Sequence, residues 1–185
     1  MYTLFIDTHS NKIILVLYKD NKILVKKEVE TKQSHSVTTM PILIETLRDA
    51  NIDIKAVKEI LVVNGPGSFT GVRIGVTIAK TLAFTLQIPI KTLSSLLIKA
   101  VSFSHDEVRI IEREKNGVFV GTFDKKNKLI NDYVYINNGE YISENNDVEN
   151  VEIDYEKIIL FAKTIESTNP HAVNPLYVKI IEVQK

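Results

Sequence analysis

Apolar positions recur with two different periods along the first half of the chain, and the switches between them mark out the elements. Aliphatic and β-branched runs over residues 3–7, 13–18 and 23–29 read as strands, with Thr8-His9-Ser10-Asn11 and Lys19-Asp20-Asn21-Lys22 as the turns of an antiparallel meander. The spacing then lengthens to three and four residues: Val37, Met40, Leu43, Ile44 and Leu47 predict a helix through Ala50, capped by Ser34 or Ser36. Pro41 costs little in a first turn and would kink the helix if the cap lay further upstream. A buried strand over 59–64, a glycine-rich loop, a helix over 72–86, a short strand near Ile90 and a helix over about 94–104 follow. The meander pattern then returns, with strands over 108–112, 118–123 and 129–136 joined by Asn116-Gly117 and Lys125-Lys126-Asn127. Residues 137–150, rich in Asn, Glu and Asp, read as a solvated connection, and 158–162 as one more apolar element. Pro170 and Pro175 restrict a tail whose structure the pattern does not define. The class is α/β, in two similar halves.

Composition narrows the function classes. The 185 residues carry 23 Lys and Arg against 23 Asp and Glu, so the chain as a whole offers no broad basic surface for nucleic acid. There is no cysteine, which excludes disulfides and thiol chemistry. His9, His35, His105 and His171 are dispersed without ligand spacing and read as surface or turn residues, so no metal site is expected. The chain starts with a strand and no later apolar run approaches membrane-spanning length, so a soluble cytoplasmic protein without membrane contact is expected.

Four of the seven glycines fall in Gly65-Pro66-Gly67-Ser68-Phe69-Thr70-Gly71-Val72-Arg73-Ile74-Gly75, between the 59–64 strand and the 72–86 helix, with Ser68 or Thr70 as N-cap. Such clustering means that a backbone or ligand comes close to the loop. Strand, glycine loop and helix start are the parts of an anion site. Yet no glycine here is followed as a Walker A loop requires, and the third comes one residue too late for a dinucleotide fingerprint. A tight structural turn and a ligand contact both stay open. In the helix itself Gly71, Gly75, Ala79 and Ala83 form one row of small residues, with Ile74, Ile78 and Leu82 beside it. That apolar arc is wider than packing on one sheet needs. Small residues admit a second backbone, either this chain's own sheet or another helix, and the width of the arc assigns the row to a protein partner.

The two successive halves, Ile6-Asp7-Thr8 at the end of the first strand and the glycine-loop stretch together resemble the TsaB (YeaZ) family of bacterial tRNA threonylcarbamoyladenosine synthesis. His35 before the first helix and Pro175-Leu176-Tyr177-Val178 add to the resemblance. It implies a two-lobed actin-like, ribonuclease-H-like fold, with a βββαβα first lobe over 1–92 and a reduced second lobe over 93–185. It further implies a non-catalytic scaffold for the related subunit TsaD, which transfers a threonylcarbamoyl group to the adenosine beside the anticodon. A TsaE-type P-loop ATPase would join them, tRNA would be met only through the complex, and the chain alone would form a homodimer. The implied partner face comprises Val37, Met40, Ile44, Leu47, Gly71, Gly75, Ile78, Ala79 and Leu82, with Gly65, Pro66, Gly67, Ser68, Phe69, Thr70, Gly71 and Arg73 shaping the junction.

No cofactor is expected in this chain, and ATP or ADP only at the interface with the partner. Where TsaD carries a metal-binding His-x-x-x-His, this chain has Ser95 and Lys99, neither of them a suitable ligand. Asp7 and Thr8 stand where actin-like ATPases handle magnesium and phosphate, which makes them nucleotide-proximal candidates, with turn or cap use favoured. Glu112 reads either as a mirror of Asp7 across the cleft or, more simply, as part of a charged hairpin. The rival reading is a stand-alone actin-like ATPase or small-molecule kinase. A peptidase lacks any nucleophile and base constellation.

Overall fold

The computed structural model describes residues 1–31, 35–103 and 106–178, so Ser34, Ser104 and His105 lie outside the described residues. β1 (Tyr2–Asp7), β2 (Lys12–Lys19) and β3 (Lys22–Glu30) form the expected meander. Asp20 and Asn21 make its second turn at φ 51° and 66°, left-handed values that a two-residue hairpin demands and that Asp and Asn tolerate. α1 (His35–Asp49) crosses to β4 (Val57–Val63), and α2 (Phe69–Leu86) to β5 (Ile90–Leu93), both strands running parallel to β1. The sheet order is β3-β2-β1-β4-β5.

α3 (Ser95–Ser102) leads into a second sheet built from β6 (Glu107–Glu114), β7 (Gly117–Asp124), β8 (Val134–Asn137) and the two-residue β9 (Asp147–Val148). Its order β8-β7-β6-β9 repeats β3-β2-β1-β4, including the parallel pairing of the last strand with the first of the meander. Two expectations are corrected. The strand placed over 129–136 is interrupted: after a turn in which the Asp124 carboxylate accepts the N–H groups of Lys126 and Lys128, Leu129 makes only an isolated bridge to Phe123, and β8 begins at Val134. The connection over 137–150 contains β9, held against β6 by the Arg109 guanidinium, which donates to Asp147 Oδ1 at 2.6 Å.

Burial on both faces of the first sheet explains why β2 reads as a continuous apolar run. Leu4, Ile6, Leu15 and Val62 face α1 and α2, while Phe5, Val16, Tyr18 and Leu61 face α3 and α4 (Tyr155–Phe161). The Tyr18 hydroxyl donates to the Tyr155 carbonyl at 2.9 Å. α3 is sandwiched: Ile98 and Val101 pack on the first sheet, Leu96 and Ala100 on Val108, Ile110 and Phe119 of the second. The tail also returns to the first sheet, where the Leu176 N–H donates to the Asn64 carbonyl at 2.7 Å and Val173 joins the core. Against the expectation that no apolar run approaches membrane-spanning length, α2, at 18 residues, is apolar and long enough to cross a membrane by length and composition. Here it caps the sheet through Val72, Val76, Ala79 and Ala83.

Candidate functional site: the interlobe turn and the docking face

The parallel strands β1, β4 and β5 all end on one edge of the first sheet, where α/β proteins place their sites. The approach that the glycines signalled comes from this chain's own β1 turn. A Cβ on Gly71 would lie far inside van der Waals contact with the Thr8 carbonyl oxygen, one on Gly75 with Thr8 Oγ1, and one on Gly67 with the His9 carbonyl oxygen. Gly65 and Gly67 also adopt φ 105° and 152°. Hydrogen bonds close the junction: Ser68 N–H to the His9 carbonyl at 2.7 Å, Gly71 N–H to Ser68 Oγ at 3.2 Å, and Thr8 Oγ1 to the Gly71 carbonyl at 2.7 Å. Ser68, not Thr70, is therefore the N-cap. Two of the loop's backbone donors, the N–H groups of Ser68 and Gly71, are thus engaged within the chain.

The small-residue row is thereby corrected as a partner contact. Gly71, Gly75 and Ala79 are buried against the chain's own β1 turn and sheet, and Leu47, Ile78 and Leu82 pack half-buried on the same core. The outward face keeps α1 members of the expected partner face and adds Phe69 from the junction. Val37, Met40 and Ile44 on α1 are 65%, 41% and 61% exposed, and Phe69 at the start of α2 is 48% exposed. Met40, Phe69, Ile74 and Ile78 line a groove of about 370 Å³ between the helices, with Ser36, Thr70, Arg73 and Thr77 at its rim. The Arg73 guanidinium lies 4.4 Å over the Phe69 ring, and Phe69 packs on Tyr177 of the tail at 5.6 Å.

At the mouth between the sheets the sequence reading missed one residue and undervalued another. Asp7 Oδ1 accepts the His9 N–H at 3.0 Å, the turn use that was favoured, and faces His9 Nδ1 at 2.6 Å. Nε2 of the same ring lies 3.2 Å from Glu112 Oε1, and Lys99 Nζ lies 3.2 Å from Glu112 Oε2. His9 is thus a buried bridge between sheets, and not a surface residue. Glu112 is the mirror of Asp7, and the charged-hairpin reading gives way. Burial alone would depress the His9 pKa, but the Asp7 charge and hydrogen bond, with those of Glu112, push it up to about 10. Burial would raise Glu112, yet His9 and then Lys99 bring it down to about 2. The Asp7-x-His9 spacing and the place of Glu112 in the repeated meander were the signals available. Ser95 donates its hydroxyl to the Pro66 carbonyl at 2.8 Å. Among the described residues no group of three His, Cys, Asp or Glu converges as a metal cage.

This two-sheet arrangement with its shared α3 is an actin-like α/β fold, and residues 25–120, just over half of the chain, match the family model described as TsaD, tRNA N6-adenosine threonylcarbamoyltransferase. TsaB of Bacillus subtilis, a tRNA threonylcarbamoyladenosine biosynthesis protein, is 36% identical over 137 residues, which cover 72% of this chain and 60% of that protein. TsaB of Buchnera aphidicola from Schizaphis graminum is 30% identical over 132 residues, covering 69% of this chain and 62% of the relative. The solved structure of YeaZ from Pseudomonas aeruginosa superimposes with a TM-score of 0.79 at 18% identity, over 95% of this chain and 100% of that one. The chain belongs to the TsaB (YeaZ) family, within the wider group that the TsaD model describes. The matched stretch spans about three fifths of the length of these curated relatives.

Proposed function

We propose that this chain is a non-catalytic subunit of the machinery that makes threonylcarbamoyladenosine in tRNA, and that it acts by docking and stabilising a TsaD-type subunit. The observation that carries the reading is the exposed apolar face of Val37, Met40, Ile44 and Phe69 around the groove between α1 and α2. Four large exposed apolar side chains on two adjacent helices mark an interaction surface. The groups at the cleft mouth support a role without turnover. Asp7 and Glu112 serve as counterions to His9, Lys99 is paired with Glu112, and Ser95 is bonded to the glycine loop.

On this reading nucleotide, where it enters, sits at the interface with the TsaD-type subunit, and a TsaE-type ATPase and tRNA join through the complex in the cytoplasm. The chain alone pairs with itself through the same face and exchanges that contact for the partner. Ile44→Asp tests the surface. It should abolish both self-association and co-purification with the TsaD homologue while leaving the melting temperature within the few-degree scatter of a surface substitution. ATP turnover by the purified chain alone, lost in Asp7→Ala, would instead favour a stand-alone ATPase or kinase.

A further inference from the structure

The geometry points to Glu112 as a positioning residue: from the second sheet it holds, through the His9 ring, the glycine loop and the N-terminus of α2 on the first. This goes beyond the docking reading and does not depend on the identity of any partner. His9 makes three contacts that belong to three elements. Nδ1 faces Asp7 of β1, Nε2 faces Glu112 of β6, and the carbonyl accepts the N–H of Ser68, the residue that caps α2. A carboxylate only accepts, so both ring nitrogens must carry hydrogen and the ring is an imidazolium. Its side chain is 10% exposed, and those of Asp7 and Glu112 are 2% and 17% exposed.

A cation so enclosed is stable only while both carboxylates stay in place, which ties β6 to β1 across the gap between the sheets. The tie reaches the loop because Gly67 lies against the backbone of His9 with no room for a side chain. From Ser68 it passes to Phe69 and Arg73 at the head of α2. Lys99 on α3 adds a charge 3.2 Å from the second oxygen of Glu112, an oxygen that is buried and accepts no hydrogen bond. The charged groups facing the ring are thus Asp7 and Glu112, with Lys99 behind Glu112.

Amide hydrogen exchange on the intact chain tests the assignment, with Glu112→Gln set against Arg113→Gln, an exposed neighbour on β6 paired with Glu149. Glu112→Gln keeps an acceptor but removes the charge. Exchange at Ser68 and Gly71 should rise roughly five- to tenfold, the difference between a charge-assisted and a neutral hydrogen bond. The β1–β2 ladder should stay protected, and Arg113→Gln should change neither. Unchanged exchange at Ser68 and Gly71 overturns the proposal, and so does uniform acceleration across the chain, which would make Glu112 merely structural. If Glu112→Gln does not fold, nitrogen NMR of the wild-type His9 ring decides. Two ring N–H groups at pH 8 are expected, and a neutral ring with one would refute the bridge.

Discussion

Replacing Gly75 by alanine places a methyl group on Thr8 Oγ1 and, within ordinary contact distance, nothing else that resists it, since Thr8 Cβ and Cγ2 lie 3.5 and 3.6 Å away. The hydroxyl has little room to yield. Thr8 is fully buried and its Oγ1 donates to the Gly71 carbonyl at 2.7 Å. Rotating it away leaves a buried hydroxyl unsatisfied, at about 1–3 kcal/mol, while removing a helix-interior glycine returns up to about 1 kcal/mol. The net loss for Gly75→Ala is therefore about 0–3 kcal/mol, too wide a range to decide anything alone. A double-mutant cycle decides it. In a Thr8→Ala background the obstacle is gone, so Gly75→Ala should become neutral or stabilising by up to about 1 kcal/mol, giving a coupling energy of about 1–3 kcal/mol. Urea denaturation of the four proteins reads each term. Additive effects, with a coupling below about 0.5 kcal/mol, would mean that Thr8 does not stand against Gly75 and that the small-residue row faces elsewhere.

The buried charges predict a dome of stability against pH. Because His9 is raised from 6.5 to about 10, its contribution is complete below pH 6.5 and is lost as pH climbs through 10. Because Glu112 is lowered from 4.5 to about 2, its contribution is complete above pH 4.5 and is lost as pH falls towards 2. Urea midpoints taken from pH 3 to pH 10 should show both limbs, with the acid limb reduced in Glu112→Gln; identical profiles would refute the assignment. Tyr18→Phe removes a fully buried hydroxyl bonded to the Tyr155 carbonyl and should cost about 1 kcal/mol, or roughly 2–4 °C in melting temperature by calorimetry. Met40→Asp in the docking groove should cut self-association measured by analytical ultracentrifugation without that loss of stability.

The elements were legible because each carried its own period: β2 reads as a strand of a meander, and local chemistry narrows the α2 cap to Ser68 or Thr70, of which the structure uses Ser68. The glycine cluster likewise announced a close approach, but glycine records only that something comes near and not from which molecule. The neighbour proved to be Thr8, more than sixty residues away in sequence. The same limit explains why the width of the α2 arc misled. Its small residues serve one turn of the chain's own β1, and the outward surface is carried by Phe69 together with Val37, Met40 and Ile44 of α1. His9 lies in the turn after β1 and Glu112 on β6 of the other sheet, and no local pattern brings the imidazole to the carboxylate. Only the repetition of strand order hinted that Glu112 occupies the counterpart of the Asp7 position.

The most direct test of the account is the sedimentation of this chain with its cell's TsaD homologue, alone and as Ile44→Asp, with tRNA modification assayed on the same samples. The account predicts a heterodimer that forms at the expense of the self-paired species, a mixture that modifies tRNA when the remaining components are supplied, and loss of both with Ile44→Asp. Sedimentation of the two wild-type proteins as separate species, or full modification in the absence of this chain, would contradict it.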